Sequence, residues 1–275
     1  MKSKLAVVIL SVILAAALAG CGGASRSVNS AASSAPAEKD LLAKVREKGK
    51  LTIAMEGTWA PWTYHDTDDK LVGYDVEVGQ NIAKELGVEA EFIEGEWDGL
   101  LAGLDAGLYD ILINGVDATP ERNKKYDFSE PYAYIHTVLV VREDNTEIRH
   151  FSDLAGKTTA NSIGSTYMEM GEKYGAKVEG VDSLGETMQM VISGRADATI
   201  NAEVSVLDYL REQPDAPLEI VDATPEAGEV VIPFRKGSET ASLREAVDGA
   251  LLKMKEDGRL KELSEKYFGS DITKG

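Results

Sequence analysis

The sequence predicts an α/β protein of two lobes, and three observations point that way. Short apolar strand candidates alternate with amphipathic helix candidates along most of the chain, the order that builds mainly parallel sheets covered by helices. The alternation runs to about residue 141 and restarts near Lys157, so two successive α/β sets are expected, each with its own sheet. The chain has 275 residues, enough for two modest cores. Ligands of such sheets bind beyond the carboxyl ends of the strands, so two facing sheets would place a site in the cleft between them.

The elements follow in order. Lys2 and Lys4 precede an apolar run from Leu5 to Leu18 that ends in Leu18-Ala19-Gly20-Cys21, and Cys21 is the only cysteine. The run falls short of the about 20 residues that a membrane-spanning helix needs, so residues 1–20 read as a signal peptide. Leu18–Cys21 resembles the lipobox of bacterial lipoproteins, which implies cleavage before Cys21 and lipidation of its sulfur. Residues 21–38 are rich in Gly, Ser and Ala and read as a flexible tether, with the folded part beginning near Lys39–Leu42. Leu51–Ala54 is a strand candidate. Tyr74, Val78, Ile82 and Leu86 mark one helix face, stopped by Gly87. Trp97, Leu100, Leu101, Leu104 and Leu108 mark a second helix, followed by strands at Ile111–Ile113 and Val138–Val141.

The second set opens with a strand at Lys157–Asn161 and a helix at Ser165–Tyr174 behind Gly164-Ser165-Thr166. A strand at Lys177–Val181 follows, then a helix whose face carries Leu184, Met188, Val191 and Ile192, a strand at Ala198–Asn201 and a helix over Val204–Leu210. One extended run, Glu229–Phe234, leads to two final helices near Leu243–Glu256 and Leu260–Tyr267.

Composition removes several function classes. The net charge is −18, which disfavours nucleic acid and anionic lipid as partners. A lone cysteine allows no disulfide within the chain, so stability must come from apolar cores. His65, His136 and His150 lie in unrelated segments without zinc-ligand spacing. No GxxxxGK[ST] loop and no GxSxG elbow occurs, and no cofactor is expected. With 47 Asp and Glu residues, any single acid pair is weak evidence for catalysis.

Several segments together carry a family resemblance. Lys50–Gly73 reads KLTIAMEGTWAPWTYHDTDDKLVG and is followed by YDVEV. EWDGLLAGLDAGLYDILING, TPERNKKYDFSEPY, GKTTANSIGSTY, SGRADATI and MKEDGRLKELSEKYFGSDIT come after it in that order. This series resembles the family 3 extracellular solute-binding proteins of polar amino-acid ABC importers over about Leu41–Thr273. The tract GAKVEGVDSLGETMQMVISGRADATINAEVSVLDYL (residues 175–210) is similar to the cystine-binding branch. The resemblance implies a type II periplasmic-binding-protein-like fold with two hinge strands. Lobe 1 would be residues 39–139 plus 235–275, lobe 2 residues 143–229, and the hinge strands residues 140–142 and 230–234. It also implies a monomer, lipid-anchored outside the cytoplasm, that delivers an amino acid, with cystine first, to a permease and its ATPase subunits.

The same resemblance assigns site residues. Arg122, in Thr119-Pro120-Glu121-Arg122, matches the carboxylate-binding arginine, and a guanidinium fork suits that task. Ser165 and Thr166 open a helix whose N-terminus favours an anion; on its own that would be an ordinary cap, while the resemblance lets Thr166 donate to the carboxylate from the opposite lobe. Asn114 and Gly115 match strand-end polar contacts. Trp59, Trp62 and Trp97 fall at or near aromatic cleft positions, suited to a ligand's apolar stem or ammonium; core packing is an equal reading for Trp97. Glu56 matches an acid near the ligand's distal end. One departure stands out: in Asn201-Ala202-Glu203, Ala202 occupies the place of the usual ammonium-pairing aspartate. A buried ammonium needs an anion, so Asp117 is expected to supply it, with Glu203 as runner-up. Three other readings stay open: another polar amino acid or cysteine as the ligand; a dehydratase-like cleft enzyme, with Asp117 and Glu203 as acid and base; and a sensor that presents its closed form to a receptor.

Overall fold

A computed structural model describes residues 40–274. The signal peptide expected over 1–20, the tether over 21–38 and the lipidation site Cys21 lie outside the described residues. The first described helix begins just after the sequence changes from small residues to amphipathic ones. The Asp40 side chain accepts the Ala43 N–H at 2.8 Å and caps the helix Leu41–Lys48. Gly49, at φ 69°, turns the chain into the first strand.

The first lobe is built on a parallel sheet in which Lys50–Met55 runs between Glu89–Glu94 and Ile111–Leu112. Leu51, Ile53, Ala54 and Met55 are all buried, as expected of a central strand covered on both faces. The helix Tyr74–Leu86 covers this sheet with the four residues of its expected face, Tyr74, Val78, Ile82 and Leu86, all buried. Each such side chain stabilises the fold by about 1.5–3 kcal/mol. A small antiparallel sheet of Thr58–Trp59, Thr63–His65 and Leu71–Val72 is inserted after the first strand. The C-terminal helices Ser238–Glu256 and Arg259–Phe268 return to pack on Tyr74–Leu86.

The second lobe holds one five-stranded sheet in the order Lys177–Val181, Thr158–Ser162, Ala198–Ala202, Thr137–Arg142, Leu218–Ala223. The first three strands are parallel, and Thr137–Arg142 runs antiparallel to both of its neighbours. The helices Thr166–Lys173, Leu184–Ile192 and Glu203–Glu212 complete the lobe.

The strands revise the expected hinges. Residues 140–142 are not a crossing: Val140 and Val141 are paired on both sides inside the second sheet, and Arg142 pairs with Leu218. The all-apolar run 138–141 is the signature of a central strand rather than of a link. The run Glu229–Phe234 is likewise two strands, both in the first lobe. Gly228–Val231 pairs with Val116–Asp117 and Ala133–Ile135, and Pro233–Arg235 pairs with Tyr126–Phe128. The chain therefore crosses between lobes at 135–137 and again at 223–228. The crossings lie side by side: Thr224 N–H donates to the Thr137 carbonyl at 2.8 Å, and Thr137 N–H donates to Thr224 Oγ1 at 3.1 Å. A smaller correction concerns Leu108, which is 70% exposed because its helix already ends at Asp105 and Gly107 turns at φ 70°.

Candidate functional site

A cleft lies between the lobes. The first lobe contributes Glu56, Trp59, Trp97, Asn114, Gly115, Asp117 and Arg122; the second contributes Ser162, Ser165, Thr166, Tyr167, Leu184 and Asn201. Most of these residues follow or end strands, at the carboxyl edges where α/β sheets bind ligands.

Two adjacent strand ends are tied together in the first wall. Asn114 Oδ1 accepts the Glu56 N–H at 2.8 Å, and Asn114 Nδ2 donates to Glu56 Oε2 at 2.6 Å. Asn114 thus spends its side chain on aiming Glu56. Burial pushes the Glu56 carboxyl up to about 7; the Asn114 hydrogen bond opposes this, and the nearby Glu96 adds to it. Gly115 adopts φ 54°, and a Cβ there would lie 2.6 Å from the Trp59 ring, so close ring-to-backbone contact requires glycine. Its N–H donates at 2.7 Å to Asp75, a fully buried carboxylate that also accepts the Tyr132 hydroxyl at 2.8 Å. Burial pushes Asp75 up to about 7, against those two hydrogen bonds. Sequence reasoning missed Asp75: an acid in the first turn of a helix reads as a dipole partner, and nothing in the sequence says that it faces inward.

Arg122 sits on the short helix Pro120–Lys125, whose cap is Thr119: its Oγ1 accepts the Arg122 N–H at 3.1 Å. The side chain is 9% exposed. Nη1 donates to the Asp117 carbonyl at 3.2 Å, and the guanidinium carbon lies 5.3 Å from the Trp97 ring centroid, a cation–π distance. With one of five donors so engaged, the fork keeps others for an anion.

In the second wall Gly164, at φ 71°, leads into Ser165, whose Oγ accepts the Met168 N–H at 3.1 Å and caps the helix Thr166–Lys173. Thr166 Oγ1 donates to Asp117 Oδ2 at 2.6 Å, directly across the cleft. Burial raises the Asp117 carboxyl above the usual range; the Thr166 hydrogen bond and the Arg122 charge pull the other way. Asn201 Oδ1 accepts the Ala202 N–H at 2.9 Å.

Two expected residues do not line the cleft. Trp62 is fully buried behind Trp59, stacked on it at 5.4 Å and 19°, and its Nε1 donates to Ser205 Oγ at 3.1 Å. A tryptophan is large enough for core packing to claim the second of two neighbouring rings. Glu203 begins the helix Glu203–Glu212 with its N–H on the His136 carbonyl, and its side chain is not in the lining. Ser162, Tyr167 and Leu184 line the cleft unforeseen. Ser162 ends a strand, the one signal that marked it, whereas Leu184 read as part of a core-facing helix stripe. Among the described residues no cluster of His, Cys, Asp and Glu could hold a metal ion, and no helix is long and apolar enough to cross a membrane.

Residues 51–270 match the bacterial extracellular solute-binding proteins, family 3. The chain belongs to that family. Its membership places this family 3 protein outside the cytoplasm. The L-cystine-binding protein TcyA of Bacillus subtilis (strain 168) is 40% identical over 274 residues, covering 99% of each chain. An ancestral arginine-binding protein bound to arginine superposes with TM-score 0.75 at 36% identity, over 80% of this chain and 99% of that one. The L-cystine solute receptor of Neisseria gonorrhoeae in its unliganded open conformation superposes with TM-score 0.57 at 40% identity, over 85% and 99%. The open relative is the more similar in sequence and the less similar in shape.

Proposed function

We propose that this chain is the substrate-binding protein of an amino-acid ABC importer, and that its ligand is an amino acid with a second cationic end, cystine foremost. The observation that carries the reading is the cleft's charge set: one buried guanidinium, Arg122, faces a helix N-terminus at Thr166, with two acids, Asp117 and Glu56, beside them. Arg122 and Thr166 take the α-carboxylate from opposite lobes, and Asp117 takes the α-ammonium in place of the acid absent at Ala202. Trp59 and Trp97 flank the stem, and Glu56 receives the distal ammonium. Cystine is chosen because a relative 40% identical over the whole length is named for binding it. The paired crossings at 135–137 and 223–228 act as the hinge. Ligand that bridges both lobes favours the closed form through its differential affinity for that form, and the permease with its ATPase subunits reads closure. A lipid on Cys21 holds the monomer at the membrane. The chain carries ligand without transforming it.

Calorimetric titration tests this reading. Protein unfolded and refolded to strip bound amino acid is titrated with cystine, cysteine, arginine and the other common amino acids. The expected result is one-to-one binding of cystine, stronger than that of neutral amino acids, with the ligand recovered unchanged. No heat with any amino acid, or conversion of the bound ligand to a product, overturns it.

A further inference from the structure

The first wall of the cleft carries Asn114-Gly115, the only Asn-Gly pair in the chain. The fold uses both residues. Asn114 accepts the Glu56 N–H at 2.8 Å and donates to the Glu56 carboxylate at 2.6 Å, and a carboxamide can accept and donate at once. Gly115 adopts φ 54°, and a Cβ there would lie 2.6 Å from the Trp59 ring. The same pair is the dipeptide most open to deamidation, because glycine leaves its amide nitrogen uncrowded. In that reaction the Gly115 nitrogen attacks Asn114 Cγ. The Cγ–Nδ2 bond breaks, Nδ2 leaves as ammonia with the Gly115 amide proton, and a succinimide ring remains. Water then adds to either ring carbonyl, and ring opening leaves aspartate or isoaspartate.

Both reacting ends are held. The electrophile's amide is clamped by its two bonds to Glu56. The nucleophile, the Gly115 N–H, donates to Asp75 Oδ2 at 2.7 Å. Asp75 is fully buried, and its Oδ1 accepts the Tyr132 hydroxyl at 2.8 Å. Tyr132 is steadied in turn by Tyr74, whose hydroxyl donates to the Tyr132 carbonyl at 3.1 Å. A carboxyl buried on hydrogen bonds alone is costly, and none of the proposed ligand contacts uses it. We propose that Asn114-Gly115 is the deamidation site of this chain and that Asp75 guards it, holding the Gly115 N–H so that ring closure waits on local opening. The rate then follows the population in which that bond is broken. Conversion of Asn114 to aspartate puts a carboxylate where Nδ2 now donates to Glu56. Two carboxylates at that spacing do not both ionise, so the charge on Glu56 is lost to the ligand; isoaspartate also lengthens the backbone and shifts Gly115 against Trp59. This consequence for binding rests on the proposed function, whereas the chemistry and its guard do not.

The test ages the full chain in warm, mildly alkaline buffer and follows deamidation by mass spectrometry. Trypsin releases the peptide Glu85–Arg122, whose only side-chain amide is Asn114, so its mass gain reports this residue alone. The chain unfolded in guanidinium chloride sets the unprotected rate, and the folded chain is expected to be slower by about a hundredfold or more. Asp75→Ala removes the acceptor and is expected to raise the folded rate about tenfold. Asp75→Asn keeps an oxygen for the Gly115 N–H, and Tyr132→Phe loosens the same pocket while leaving that bond; both are expected to stay near the rate of the unaltered folded chain. Denaturant is added to the more stable variants until folding stabilities match, so that global unfolding does not stand in for local opening. Should Asp75→Ala fail to fold, Asp75→Val takes its place. A rate in the acceptor-free variant no higher than in Tyr132→Phe overturns the guard, and a folded chain that deamidates as fast as the unfolded one overturns the whole proposal. Cystine titration of the deamidated, refolded fraction reads the consequence separately: affinity equal to that of the intact chain removes the ligand role of Glu56 and leaves the guard standing.

Discussion

The proposed role of Glu56 predicts that ligand binding depends on pH in a range where an ordinary glutamate would give no such dependence. Its carboxyl titrates at about 7 because burial disfavours the charge. A ligand with a distal ammonium needs the ionised form, so protonation of Glu56 competes with binding. At pH 7.5 roughly three quarters of Glu56 is ionised, and at pH 6 roughly one tenth, which lowers the apparent affinity about eightfold between the two. The sign is fixed: affinity falls as pH falls, and a glutamate at its ordinary value would give almost no change over this interval. Binding at pH 7 should also release about half a proton, seen as a dependence of the calorimetric heat on the buffer's ionisation heat. Glu56→Gln keeps an acceptor but no charge. Its affinity for cystine at pH 7.5 should drop on the order of tenfold to a hundredfold, and its pH profile should be flat. A flat profile for the unaltered chain, or an unchanged slope in Glu56→Gln, refutes the assignment of Glu56 to a cationic end.

Arg122→Ala should abolish measurable amino-acid binding, a loss of roughly a hundredfold or more, while the unfolding transition stays cooperative with its midpoint lowered by about 3–6 °C; near-normal affinity by calorimetry removes the core of the site. Gly115→Ala puts a Cβ 2.6 Å from the Trp59 ring at φ 54°, so it should weaken binding by about tenfold through displacement of Trp59, with a shifted tryptophan emission spectrum; an unchanged spectrum and affinity would contradict it. Asp75 binds its proton more tightly folded than unfolded, so its contribution favours the folded state at low pH and declines as pH rises from about 4 to its folded value of about 7. Between pH 5 and 7.5 this amounts to about 3 kcal/mol, and Asp75→Asn should remove that part of the slope in urea unfolding midpoints measured at the two pH values; an unaltered slope would place the titration elsewhere.

The helices of the fold were largely legible because burial imposes a period on them. Tyr74, Val78, Ile82 and Leu86 repeat every four residues, and all four are inside. One edge strand left no such trace: Glu89–Glu94 reads EAEFIE and none of its residues is buried, so its half-exposed pairing escaped notice. The hinges were misplaced for the opposite reason, since a fully apolar strand and a buried link look alike until pairing partners are known. In the site, Arg122, Thr166, Asp117 and Glu56 were legible only through the family's motif order, because residue types alone do not bring positions 56, 117 and 166 together. Asp75 and the withdrawal of Trp62 from the cleft were illegible because each depends on which way a side chain points from a correctly assigned element.

The charges in the cleft constrain what it can hold. Arg122 is the one cation among the described lining residues, and Glu56 and Asp117 are the acids. A simple zwitterion would neutralise Arg122 with its carboxylate and Asp117 with its ammonium, leaving the half-buried Glu56 without a counter-ion. That is costly only while Glu56 is ionised, and its pKa of about 7 offers an exit: near neutrality the residue can take up a proton and meet a neutral side chain as a hydrogen-bonding acid. A ligand with a second cation exploits the ionised form, and a neutral amino acid the protonated one. Cystine and arginine both supply that cation and differ in cystine's second carboxylate, which must stay hydrated or find donors such as Asn201, Ser162 and the Tyr167 hydroxyl on the opposite wall. On the proposed reading, selectivity for dicationic over neutral ligands would be set by the ionisation of Glu56 and would narrow as pH falls, whereas the choice between cystine and arginine would be made by the second lobe.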